Sequence, residues 1–189
     1  VIFIINIIIN ECHCDEAMLF LNAASIADNS TDITGEYLPA YFDTWVYGGQ
    51  SPFATYIIAI FIKAFGNSLF VSRLPLFIFS ILGLWCFYRV SSELFGKDSN
   101  YTVTAVTLCA LSPWQIMDSM FTLDCNFLPH LIIFGTYFLI KAVKYEKKAL
   151  NFIISMLFIF SIVFLVFAFY SFSFHLLANA SNLASSSEK

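Results

Sequence analysis

Leu74-Pro-Leu-Phe-Ile-Phe-Ser-Ile-Leu-Gly-Leu-Trp-Cys-Phe-Tyr88, bounded by Arg73 and Arg89, decides the fold class. The run carries no charged side chain, and with its flanks (residues 72–93) it reaches the roughly 20 residues a helix needs to cross a bilayer. Pro75 is expected in the first helical turn, where its missing N–H leaves no partner unsatisfied. Apolar runs at about 100–117, 126–144 and 150–175 predict three more spanning helices. Composition agrees: of 189 residues, 59% are hydrophobic, 12% are charged and 23 are Phe, with a mean hydropathy of +0.79. Ordinary soluble domains carry roughly 45–50% apolar and 25% charged residues, and a chain this short cannot hide such an excess from water. The sequence therefore predicts an all-α fold, a polytopic membrane helix bundle.

Charge orients the bundle. Arg89 and Lys97 border the gap between the first two runs, and Lys141, Lys144, Lys147 and Lys148 border the gap between the last two, which accounts for six of nine basic residues. Short loops rich in Lys and Arg stay on the cytoplasmic side. Residues 10–52, which hold seven of the 13 acidic residues and no basic one, then fall on the extracytoplasmic side together with residues 114–125. Val1–Ile9 is about half a membrane span and reads as the outer half of a first transmembrane helix. Residues 176–189 form a polar tail. The net charge of −4 excludes nucleic acid as a partner, since that needs a basic face.

Residues 10–70 are expected as a long external loop carrying juxtamembrane helices. Asp15–Ala27 has good helix formers with acids in its first turn, where they complement the helix dipole. Residues 53–66 would reach only about 21 Å as a helix, short of the ~30 Å hydrocarbon core. They are read as lying in the outer interface; the alternative, a spanning helix, would put residues 10–52 and 114–125 on opposite sides.

Two carboxylate groups share the outer face in this topology, Asp15 with Glu16 and Asp118 with Asp124. A carboxylate at the rim of the apolar phase loses water, which raises its pKa and strengthens it as a base; the plainer role is that of a loop acid or helix cap. Arg73, at the outer end of a spanning helix, has the planar fork that suits phosphate, although it could equally snorkel to the interface; Lys63 offers the same two roles. His130 is an ionisable group one turn inside a spanning helix, a position that marks function by default, although a lone His near a helix start is more often a hydrogen-bonded packing residue. Trp45 and Tyr47 read as interface anchors that could stack on a sugar face. Cys12-His13-Cys14 invites a metal, but no second pair follows at zinc spacing, so no metal ligand is assigned. The five cysteines define no disulfide framework.

Seven segments together resemble a known group: His13-Cys-Asp-Glu-Ala17, Thr31-Asp-Ile-Thr-Gly-Glu-Tyr-Leu-Pro-Ala-Tyr-Phe42, Gly49-Gln-Ser-Pro52, Phe65-Gly66, Arg73-Leu-Pro75, Ser112-Pro-Trp114 and Leu123-Asp-Cys-Asn126. In order and spacing the chain resembles the N-terminal part of bacterial multispanning glycosyltransferases related to the protein O-mannosyltransferases and the lipid A aminoarabinose transferases. The resemblance implies a large first external loop and a polyprenyl-phosphate-linked sugar as donor. It implies that Asp15 is the base or acceptor-orienting group with Glu16 beside it, that Asp124 is the second-loop acid, and that Arg73 is the basic residue of the Arg-Leu-Pro segment; Arg73 and Lys63 are the donor-phosphate candidates. Gln50 stands where relatives often carry His or Lys, and joins Trp45, Tyr47 and His130 as a substrate-binding candidate. Asp118-Ser119-Met120 replaces a Ser-Arg pair common in the group, which weakens phosphate binding.

The expected activity is inverting glycosyl transfer at the outer face of the cell membrane, from a polyprenyl-phosphate sugar to a hydroxyl on a protein, lipid or glycan. No cofactor is required by this reading, with a divalent cation as an option. The rival expectations are a lipid-linked glycan transporter, which predicts paired charges inside the spanning helices, and a non-catalytic remnant of a transferase.

Overall fold

In the computed structural model of the chain, residues 12–44, 48–97, 99–118, 121–144 and 149–161 are described. Among them helices dominate: α1 (Cys14–Asn29), α2 (Pro52–Phe65), α3 (Leu69–Phe95), α4 (Asn100–Ala110), α5 (Pro113–Asp118), and α6 (Leu128–Lys144), which follows a 3-10 turn at Asp124–Phe127. A further helix, α7, covers Ala149–Ser161. One short antiparallel ribbon, which the sequence did not announce, pairs β1 (Phe42–Thr44) with β2 (Gly48–Gln50) in the register Phe42 to Gln50. Here Gly49 lies under the Tyr41 ring, where a Cβ would collide. The expected segments 1–9 and 176–189, the end of 150–175, and both Trp45 and Tyr47 lie outside the described residues.

Helix α1 starts at His13. Its Nδ1 accepts the Asp15 N–H at 3.3 Å while the Glu16 carboxylate accepts the His13 N–H at 3.4 Å, a reciprocal cap with His in the place usually held by Ser or Thr. The helix then buries Glu16, Leu19, Asn22, Ala23 and Ile26, the i, i+3, i+4 spacing of one helical face. That face packs on α2, whose Ala54, Ile58, Ala59 and Ile62 join Leu19, Ala23, Ile26, Val71, Leu76 and Phe127 in one core. A second core, of Cys86, Leu131, Phe134 and Tyr137, lies between α3 and α6. Phe53 and Phe79 border both, with the Phe79 ring 5.2 Å from Phe127 and 5.7 Å from Phe134.

Helix α3 begins earlier than its hydropathy suggests. Ser68 caps the Val71 N–H with its hydroxyl, so the helix opens at Leu69 and Pro75 falls in the second turn rather than the first. The run 100–117 also differs from expectation. It is divided between α4 and α5 at Leu111-Ser112, because Pro113 disfavours the helical conformation of the residue before it and instead opens α5. Two helices among the described residues are long and apolar enough to cross a membrane, Leu69–Phe95 and Asp124–Lys144. Their exposed faces carry Ile81, Leu82, Trp85, Ile132 and Leu139, which water would not stabilise and lipid would.

Polar contacts tie this pair together at two levels. Near its start, Arg73 of α3 meets Glu16, which also accepts a hydrogen bond from the segment before the 3-10 turn; near its end, Lys144 of α6 meets Glu93 of α3 at 2.5 Å. Twenty residues of helix separate Arg73 from Glu93, about 30 Å, which equals the thickness of a hydrocarbon core. Between these levels Ser80 and His130 make the contact that joins the helices: the His130 Nε2 lies 3.1 Å from the Ser80 hydroxyl, and its ring sits where a Cβ on Gly83 would stand 2.5 Å from Nδ1.

Candidate functional site

The site is built at the upper level, where the start of α1, the start of α2, the second turn of α3 and the segment 121–127 converge. Glu16 holds them together. Its side chain is fully buried, and it receives the Arg73 Nε–H at 2.9 Å on Oε1 and an Arg73 Nη2–H at 2.7 Å on Oε2. Oε1 also accepts the Thr122 N–H at 2.9 Å. Burial by itself would raise the Glu16 carboxyl, but the hydrogen bonds from Arg73 and Thr122, the Arg73 charge and the His13 N–H outweigh it and hold the group below the ordinary carboxylate range. The expected rise in basicity at the membrane rim is therefore reversed at this residue, because a buried cation compensates the lost water.

Asp15, one residue earlier, points the other way. Its carboxylate is half exposed, with Oδ2 3.6 Å from the His13 Nδ1. Its backbone carbonyl accepts a hydrogen bond from the Gln50 side-chain amide at 2.9 Å. The next residue, Ser51, donates its backbone N–H to Asp124 Oδ2 at 2.9 Å, and Asp124 Oδ1 accepts the Cys125 N–H at 2.8 Å. Gln50-Ser51 is thus a strap joining the Asp15 segment to Asp124, partners far apart in sequence.

Beside the strap, a cavity of about 160 Å³ is lined by Trp114, Met117, Phe121, Leu123 and Asn126. Its walls are almost wholly apolar apart from the Asn126 amide, which donates to the Phe121 carbonyl at 2.7 Å. Phe121 also meets the His13 ring edge-on, 5.8 Å between centroids. Phe121 thus joins the cavity wall to the start of α1, and Leu123 and Asn126, which flank Asp124, complete it on that side.

Of the residues expected from sequence, Asp15, Glu16, Gln50, Arg73 and Asp124 meet here. Lys63 does not: it is exposed in the last turn of α2, 11 residues or about 16 Å along the axis from Pro52. His130 lies deeper, buried between α3 and α6. Sequence reading missed Ser51 and Thr122, which act through their backbone N–H groups. Only the Ser-Pro pair at 51–52 carried a signal, since Ser followed by Pro marks a helix start.

No curated protein and no solved structure matches the chain. The family model for dolichyl-phosphate-mannose-protein mannosyltransferases matches residues 49–185, a stretch that begins at the strap and takes in Arg73 and Asp124. That match covers well over half of the 189 residues, and the apolar helices with their lipid-suited faces agree with a membrane glycosyltransferase of this type: the chain belongs to the dolichyl-phosphate-mannose-protein mannosyltransferase family.

Proposed function

We propose that this chain takes part in inverting transfer of a sugar from a polyprenyl-phosphate donor to an acceptor hydroxyl at the outer membrane face, with Asp15 as the base. The observation that carries the proposal is the division of labour between neighbours: Glu16 is buried and neutralised by Arg73, whereas Asp15 is held by its backbone and presents its carboxylate to solvent. A base must reach the proton it removes, and Asp15 is the acid at this site placed to do so.

In the proposed step Asp15 takes the acceptor's hydroxyl proton as that oxygen bonds to the anomeric carbon. The bond from that carbon to the phosphate oxygen breaks on the opposite face, and the lipid phosphate leaves with the electron pair. The transition state is oxocarbenium-like, and the carboxylates of Asp15 and Asp124 stabilise its positive charge. The apolar cavity suits the first isoprenoid units of the donor. Arg73 and Glu16 serve as positioning residues that fix α1 against α3, since the Nε–Nη2 edge of the guanidinium is engaged by Glu16. Trp45 and Tyr47, shortly before Gln50 in the sequence, are proposed to contact the sugar. The acceptor is a protein, lipid or glycan hydroxyl, and the long first loop is extracytoplasmic.

The test is donor consumption in membranes carrying the protein. A positioned base supplies roughly 10²–10⁴ in rate, so Asp15→Asn is expected to lower turnover at least about tenfold. Turnover equal to the parent's would remove Asp15 from the mechanism. Scrambling of the labelled lipid across the bilayer without sugar transfer would favour a transporter instead.

A further inference from the structure

We infer that His13, Cys14 and Asp15 form a binding site for a zinc-class divalent cation at the start of α1. The His13 Nδ1 lies 3.8 Å from the Cys14 Sγ and 3.6 Å from Asp15 Oδ2, and one ligand atom from each residue falls within 4.8 Å of the others. Tetrahedral zinc, with bonds of about 2.0–2.2 Å to N or O and about 2.3 Å to S, spaces its ligand atoms about 3.3–3.6 Å apart. The two spacings from the imidazole need to contract by only a few tenths of an ångström, and the third, from the Cys14 Sγ to the Asp15 carboxylate, by at most about 1.5 Å, a change that rotation of these exposed side chains supplies.

The donor set selects the metal. One imidazole, one thiolate and one carboxylate suit zinc or cobalt, whereas magnesium and calcium take oxygen ligands. All three side chains are exposed, so the ion has a path in. Three protein ligands leave the fourth position to water. Gln50 supplies a second observation: its amide is fixed beside Asp15 by the bond to the Asp15 carbonyl, while its Oε1 is buried and accepts no hydrogen bond from the described residues. On binding, Cys14 enters as thiolate and its proton passes to solvent; the Nδ1 lone pair that caps the Asp15 N–H turns to the ion.

Cobalt(II) titration of the purified protein in detergent, with no sugar donor present, tests the site. Saturable binding with a thiolate-to-cobalt charge-transfer band and tetrahedral visible bands is expected, and zinc should displace the cobalt. Cys12 and Cys125 are also exposed, so the decisive comparison uses a Cys12→Ser/Cys125→Ser background. The bands should survive there, and adding Cys14→Ser should abolish the charge-transfer band and weaken affinity at least about tenfold. Circular dichroism confirms that this variant keeps its helices. Loss of the bands in the background alone, their persistence after Cys14→Ser, or no saturable binding would each overturn the site. In the transfer assay, zinc should lower turnover of the parent and spare Cys14→Ser. Unchanged parent turnover at saturating zinc would show that the ion does not engage Asp15. Should the transferase reading itself fail, the cobalt spectra still decide the site.

Discussion

Glu16 shows what one residue can do when its neighbours decide its charge. It stands beside Asp15 in sequence, yet one carboxylate is enclosed with a guanidinium and the other meets solvent. Removing one partner of a buried ion pair leaves the other uncompensated, which costs about 3–5 kcal/mol. Glu16→Gln should therefore lower the thermal unfolding temperature in detergent markedly. Replacing both partners with apolar residues, as in Glu16→Leu/Arg73→Met, should recover much of the loss, because no unpaired charge stays inside. The sign of the pH dependence follows from the depressed Glu16 carboxyl. Its stabilisation is fully present above the ordinary carboxylate pKa of about 4.3 and is lost as pH falls through the lower folded value. Thermal unfolding followed from pH 7 down through pH 4 and below should show a steeper loss for the parent than for Glu16→Gln. Asp32, whose carboxylate accepts the Thr34 hydroxyl and the Thr34 and Glu36 N–H groups, is depressed for similar reasons despite its burial and adds to the acid sensitivity of both proteins.

At the scale of elements, the contact between α3 and α6 is set by a small residue facing a large polar one. Gly83 leaves the space that the His130 ring fills, and Ser80 supplies the hydrogen-bonding group one turn earlier. Within an apolar interface such a contact gives the helices a register that aliphatic packing alone does not. Gly83→Ala would force the His130 ring to move, and overpacking of this kind costs about 1–3 kcal/mol. The expected outcome is a lower unfolding temperature for Gly83→Ala and partial recovery in Gly83→Ala/His130→Ala, a non-additivity that a double-mutant cycle measures. Strict additivity would mean that the two positions do not touch. The break between α4 and α5 belongs to the same scale. Hydropathy treats residues 100–117 as continuous, whereas Pro113 imposes a local conformation that no sum of hydropathies records. The start of α3 likewise follows the Ser68 cap rather than the first apolar residue after Arg73.

Across the whole molecule, two polar levels about 30 Å apart lie at the ends of an apolar pair of helices. The upper joins Glu16, Arg73 and Thr122, and the lower joins Glu93 and Lys144. On the proposed topology a membrane-impermeant thiol reagent applied to intact cells should label Cys14, which is exposed. A cysteine introduced as Lys97→Cys should react only after permeabilisation. Labelling of both from one side would require one fewer or one more crossing.

The sequence by itself determined the all-α membrane class and the family, because each depends on local composition or on motifs contiguous in the chain. It also singled out Asp15, Glu16, Arg73 and Asp124 as residues of interest. Their pairing was decided by tertiary structure alone. Glu16 finds Arg73 across 57 residues and Thr122 across 106, and Ser51 finds Asp124 across 73, and no local preference encodes which carboxylate a folded chain will bury. Two of those three contacts use backbone N–H groups, of Thr122 and Ser51, which every non-proline residue possesses, so only the path of the chain could select them.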